Sequence, residues 1–138
     1  MVALTKDRNT PEAIGQVDEH PVLAATEIFA GSIVVLDAAG WAKPAVTATG
    51  LVVAGRAEEQ VDNSAGANGA LRVRVKRGVF RYGNSAAGDL IAQADIGADC
   101  YLVDDQTVAK TDGTGTRSLA GKVVQVDAIG VWVKLGII

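Results

Sequence analysis

Apolar and polar residues alternate with a period of two over Leu71-Arg-Val-Arg-Val-Lys76. That spacing puts Leu71, Val73 and Val75 on one face of a β-strand and Arg72, Arg74 and Lys76 on the other. The pattern slips at Arg77-Gly78. Continued strictly, it would turn Phe80 and Tyr82 outward with the cations. One extra residue at Gly78 would return both rings to the apolar side, so the spacing predicts a long central strand over 71–82 with a bulge.

Shorter apolar runs flank this strand, separated by turn residues. Ser32–Leu36, Asp37-Ala-Ala-Gly40 and Trp41–Val46 predict a hairpin. Val123–Val126, Asp127-Ala-Ile-Gly130 and Val131–Leu135 predict another with the same Asp-Ala-X-Gly signature and a nearby tryptophan. In a chain with few aromatics, Trp41 and Trp132 are expected to add disproportionate packing. Asp99–Val103 and Thr107–Lys110 around Asp104-Asp105-Gln106 predict a third hairpin. Leu51–Ala54, Arg56–Val61 and Leu119–Val126 read as further strands. Residues 62–69, 83–88 and 111–116 read as loops, and Asp89–Ala94 as one helical turn. Strands at this spacing predict a mainly β fold, a small antiparallel β-barrel or sandwich-like domain. Pro11, Gly15 and Pro21 interrupt the first 21 residues, where apolar positions are sparse. The expected organisation is an extended N-terminal arm over 1–21 and a single β-rich domain over 22–138.

Composition narrows this picture. The chain has 138 residues, 49% hydrophobic but 4% aromatic, so the core must be aliphatic. Its single cysteine, Cys100, excludes an internal disulfide. The net charge of −3 gives no overall field toward nucleic acid or anionic membrane. Met1–Arg8 is too polar to read as a signal peptide, and no apolar run approaches the ~20 residues of a membrane span. A soluble protein made in a cytoplasm is expected.

Few residues suggest chemistry. His20 is the only histidine; between Glu19 and Pro21 in the arm it is poorly placed as a catalytic base and reads as a surface residue. Cys100, beside Tyr101, Leu102 and Val103, reads as buried. One His and one Cys make no zinc set. Asp104, Asp105 and Asp112 match no calcium loop, and Thr111–Thr116 lacks the Lys-Ser/Thr ending of a phosphate loop. No catalytic residue, cofactor or metal site is expected. Arg72, Arg74, Lys76, Arg77 and Arg81 are five of the 13 cations. Such a face is usually solvated; next it suits an acidic protein partner. The alternative is a small β-barrel module that binds nucleic acid or carbohydrate through 71–82, with Phe80 and Tyr82 stacking on bases. The aromatic that an RNA-binding strand carries directly after the glycine is absent, since that position is Val79.

Four stretches carry a family resemblance: Val2-Ala-Leu-Thr-Lys-Asp-Arg-Asn-Thr-Pro11, Gly55-Arg-Ala-Glu-Glu-Gln-Val-Asp-Asn63, Arg77-Gly-Val-Phe-Arg81 and Asp99-Cys-Tyr-Leu-Val-Asp-Asp-Gln-Thr-Val-Ala-Lys110. Through them nearly the whole chain resembles the capsid decoration, or cement, proteins of tailed bacteriophages, including Mu-like transposable phages. The resemblance implies a β-rich decoration domain on the outer surface of the virion head, made in the bacterial host cytoplasm. It implies the major capsid protein as partner, a homo-oligomer with a trimer favoured, and no enzymatic activity, membrane or nucleic-acid partner. Candidate partner contacts are then Leu4, Lys6 and Arg8 in the arm and Arg72, Arg74 and Lys76 on the basic strand.

Overall fold

The computed structural model describes residues 2–9 and 16–136. The middle of the expected arm, residues 10–15, lies outside the described residues. Short β-branched runs between turns give twelve strands among the described residues. They are β1 (Val17–Pro21), β2 (Thr26–Ile28), β3 (Ile33–Leu36), β4 (Ala42–Pro44), β5 (Val52–Ala57) and β6 (Val61–Asn63), then β7 (Arg72–Lys76), β8 (Val79–Tyr82), β9 (Asp99–Leu102), β10 (Val108–Ala109), β11 (Leu119–Val126) and β12 (Val131–Leu135). The fold is mainly β. One five-stranded sheet has the order β1-β7-β5-β3-β4, a second β10-β9-β11-β12-β8, and β2 and β6 form a separate ribbon. The pairings between named strands are antiparallel. Neither large sheet closes into a barrel; the arrangement is sandwich-like.

The first sheet is covered on both faces near its middle. Ile33 and Val35 join Val53, Leu102, Val131, Val133 and Leu135 in the core between the two large sheets. Val34 turns the other way and joins Ile28, Val61, Val73 and Val75 in a second core under the ribbon. A strand buried on both faces needs no polar alternation, which is why Ile33-Val-Val-Leu36 is a continuous apolar run.

The central stretch departs from the expected bulged strand. Residues 72–76 belong to the first sheet and 79–82 to the second. The Arg77 N–H donates to the Gln16 carbonyl at 2.7 Å beside the first sheet, and the Gly78 carbonyl accepts from Leu135 N–H of the second at 3.0 Å. The chain therefore changes sheets between two adjacent residues. Gly78 has no positive φ, so it is not the left-handed residue of a glycine bulge. The alternation itself holds: Val73 and Val75 are buried, Arg72 and Arg74 exposed, and Tyr82 buried in the inter-sheet core with Phe80 packed against it. Leu71, expected inward, is exposed because it precedes β7.

Two further differences concern the edges of elements. Val17–Pro21, expected at the end of the arm, form β1 and pair with β7 from Val17–Lys76 to Pro21–Arg72. A proline is tolerated there because β1 is an edge strand. Val61–Asn63 forms β6 at the start of the expected loop, and the buried Asn63 side-chain amide donates to the Leu23 and Ala67 carbonyls, both at 3.0 Å. The expected helical turn at 89–94 is replaced by two single 3-10 turns, Ala87–Asp89 and Gln93–Asp95. The three hairpins form where the pattern predicts them.

Candidate partner-binding surfaces

The side chains of Arg72, Arg74 and Lys76 lie on the face of β7 opposite Val73 and Val75. On β3 and β5, Ile33, Val35 and Val53 put that face in the core between the sheets, whereas at β7 Arg72 and Arg74 are exposed. Antiparallel register puts Glu19 beside Arg74 and Arg56 beside Lys76. The structure thus brings the three predicted strand cations together and adds Arg56, which sequence spacing had not joined to them.

Acids of the same region offset part of this charge. Arg72 Nη2 donates to the Glu19 carbonyl at 3.2 Å, and its Nε lies 4.0 Å from the Glu19 carboxylate. Arg77 pairs with Asp18 at 2.8 Å and Arg56 with Glu58 at 2.7 Å. Arg74 and Lys76 make no ion pair among the described residues. Neither aromatic is exposed beside these cations. The Phe80 ring lies under the Arg56 guanidinium, 4.2 Å from it. The Tyr82 hydroxyl donates to the Gly31 carbonyl at 2.9 Å, and burial pushes its ionisation well above the ordinary tyrosine range. A stacking platform of exposed rings beside exposed cations is therefore not assembled on 71–82.

The other predicted contacts lie in the arm. Leu4, Lys6 and Arg8 are exposed in a stretch without helix or strand, and Val2 and Leu4 are 91% and 72% exposed. His20 is half-buried on β1 rather than free in an arm. Burial chiefly lowers its pKa, with Asp18 acting in the opposite sense and Arg72 and Arg77 adding to the fall. Cys100 is fully buried and its thiol is pushed up to about 12, first by burial and then by Asp99. No three His, Cys, Asp or Glu side chains come together as metal ligands among the described residues, so Asp104, Asp105 and Asp112 form no such cluster. No helix is long and apolar enough to cross a membrane among the described residues.

Two clefts emerge that sequence spacing did not indicate. One, about 430 Å³, has Val52 and Leu119 at its mouth and Asp99, Lys122 and Lys134 on its rim. Asp99 is already paired with Lys122 at 2.6 Å. The other, about 490 Å³, lies where Phe29–Ser32, the end of β8 and the 104–106 turn meet, with Ile129 at its edge. Their walls come from segments dozens of residues apart, so no local pattern announces them. The single signal in sequence was the Asp104-Asp105 pair, considered for a cation.

At the edge of the second cleft, Asp127 organises one hairpin tip. Its Oδ1 accepts from Ile129 N–H at 2.8 Å and Gly130 N–H at 2.9 Å. Its Oδ2 accepts from the Trp132 indole N–H at 2.9 Å and faces Arg81 at 3.5 Å. These bonds, the indole first, pull the Asp127 carboxyl down to about 2. The Arg81 guanidinium also lies over the Trp132 ring at 5.4 Å. Comparison with protein-family models, curated proteins and solved structures finds no match to this chain.

Proposed function

We propose that this chain is a structural virion protein that binds the outside of a tailed-phage head and stabilises the shell of major capsid protein by bridging its subunits. The observation that carries this reading is the joining of a sandwich-like β body to an N-terminal stretch whose Val2 and Leu4 are uncovered. A packed body supplies a rigid spacer, and uncovered apolar residues on a stretch without helix or strand supply an anchor that gains by meeting a partner. The cations of β7 add a second contact through Arg72, Arg74 and Lys76. A trimer would place three such weak contacts on one body, and each later contact would benefit from high effective concentration. Use of 71–82 as a nucleic-acid or carbohydrate platform has less support, because Phe80 is covered by Arg56 and Tyr82 is buried.

The test is occupancy on purified heads across a salt series, with head survival on heating measured alongside. Deleting residues 2–9 should lower occupancy most. Arg72→Glu with Arg74→Glu should lower it less, since exposed ion pairs contribute about 0–1 kcal/mol each. Raised salt should reproduce only part of the loss, because apolar contacts are not screened. Unchanged occupancy in both variants would sink the reading.

A further inference from the structure

The cleft between Phe29–Ser32 and the 104–106 turn has a chemistry of its own. Phe29 is 56% and Ile129 73% exposed, and together they leave an apolar mouth open to solvent. Its one cation, Arg81, is engaged by Asp127 and Trp132. Its lining acid, Asp105, and the adjacent Asp104 are not offset in this way. Asp104 accepts from Gln106 N–H at 2.9 Å, and neither Asp104 nor Asp105 makes an ion pair among the described residues. Burial raises the Asp105 pKa and Asp104 raises it further, the direction a nearby cation would reverse.

The arm has a complementary set, two cations against the single acid Asp7. Val2 and Leu4 are exposed apolar residues, followed by Lys6 and Arg8. The first cleft is the weaker receptor. It is the more apolar of the two, but its acid is already paired and Lys134 would repel the arm's cations. Residues 2–9 are exposed throughout in the single chain, so Val2 and Leu4 are free to meet another molecule. We propose that residues 2–9 of one copy dock in the Phe29–Asp105 cleft of a second copy, setting Leu4 against Phe29 and Ile129, and Lys6 and Arg8 against Asp104 and Asp105. This rests on the reading of the arm as an anchor and names its receptor as a sister subunit, so that the arm supports head binding by holding the multivalent oligomer together.

Cross-linking in free protein tests it without head shells. One tagged copy carries Thr5→Cys and a differently tagged copy carries Ala30→Cys; a short bis-maleimide is added to the mixture. The native Cys100 is buried and does not compete. A cross-linked product bearing both tags is expected. Lys6→Glu with Arg8→Glu in the first copy should reduce it about five- to tenfold, the size of two rim ion pairs. Adding Asp104→Lys with Asp105→Lys in the second copy should restore it. Circular dichroism confirms that each variant keeps its β spectrum. Absence of the mixed product overturns the proposal. So does a product indifferent to the charge reversals. Head occupancy is measured separately, so docking and capsid attachment fail independently.

Discussion

The Asp37–Trp41 and Asp127–Trp132 hairpins share a four-residue signature but are built differently. In the first, β3 and β4 resume pairing at Leu36–Ala42, leaving five residues in the loop; in the second, Val126 pairs with Val131, leaving four. Asp37 Oδ1 accepts from Ala39 and Trp41 N–H, whereas Asp127 Oδ1 accepts from Ile129 and Gly130 N–H. The glycines differ most. Gly40 has φ +89°, and a Cβ there would meet nothing. Gly130 has no positive φ, but a Cβ there would overlap the Tyr82 carbonyl oxygen of the neighbouring strand. One glycine is required by its own backbone angles and the other by its neighbour. A turn signature thus locates a reversal of the chain without specifying which physical constraint each residue meets.

Substituting both glycines tests that difference most strongly. Gly130→Ala must push β8 and the hairpin apart and should cost about 3 kcal/mol in urea denaturation. Gly40→Ala adds only left-handed strain and should cost about 1–2 kcal/mol. Equal losses would break the distinction.

A smaller contrast is expected at the tryptophans. Both rings are half-buried and lie outside the two core clusters. Trp132 lies on the outer face of β12 with Lys134, held by Asp127 and Arg81. Trp132→Phe keeps a ring but loses the indole N–H, and should cost about 1 kcal/mol. Trp41 makes no side-chain hydrogen bond among the described residues, so Trp41→Phe should be milder. A larger loss at Trp41 would reverse the order.

The smallest effect is in pH. The folded Asp127 carboxyl titrates near 2, below its unfolded value of about 4. The unfolded chain therefore binds the extra proton between these values. The stabilisation is fully present above about pH 4 and is lost as pH falls through 2. The stability gap between the parent chain and Asp127→Asn should accordingly narrow over that interval. A gap that stays constant would remove ionised Asp127 from the second hairpin.

The sequence is informative wherever structure is local. Hairpin turns, the in-out pattern of Arg72–Val75 and the burial of Cys100 all follow from neighbours within a few residues. It is silent where distant segments meet. The period slip at Arg77–Gly78 was visible, but a bulge and a change of sheet leave the same trace in alternation. β1 was hidden because its proline and charges suit an edge and contradict only an interior strand. The basic strand's candidate residues were found through period two, whereas Glu19 and Arg56 join them only through register. The Phe29–Asp105 cleft has no signature because its two walls are joined by tertiary structure alone.

The change of sheet between Arg77 and Gly78 has a mechanical consequence. Chain entering β1 from the arm meets an edge strand paired with β7 through five successive residue positions. A pull through the arm along the strand axis loads those hydrogen bonds together, in shear, instead of opening them one after another. From β7 the covalent chain continues straight into β8, so the load passes to the second sheet without crossing a flexible loop. Tension applied at one end of the molecule would be shared by both sheets, a useful property for any body that tethers two others under strain.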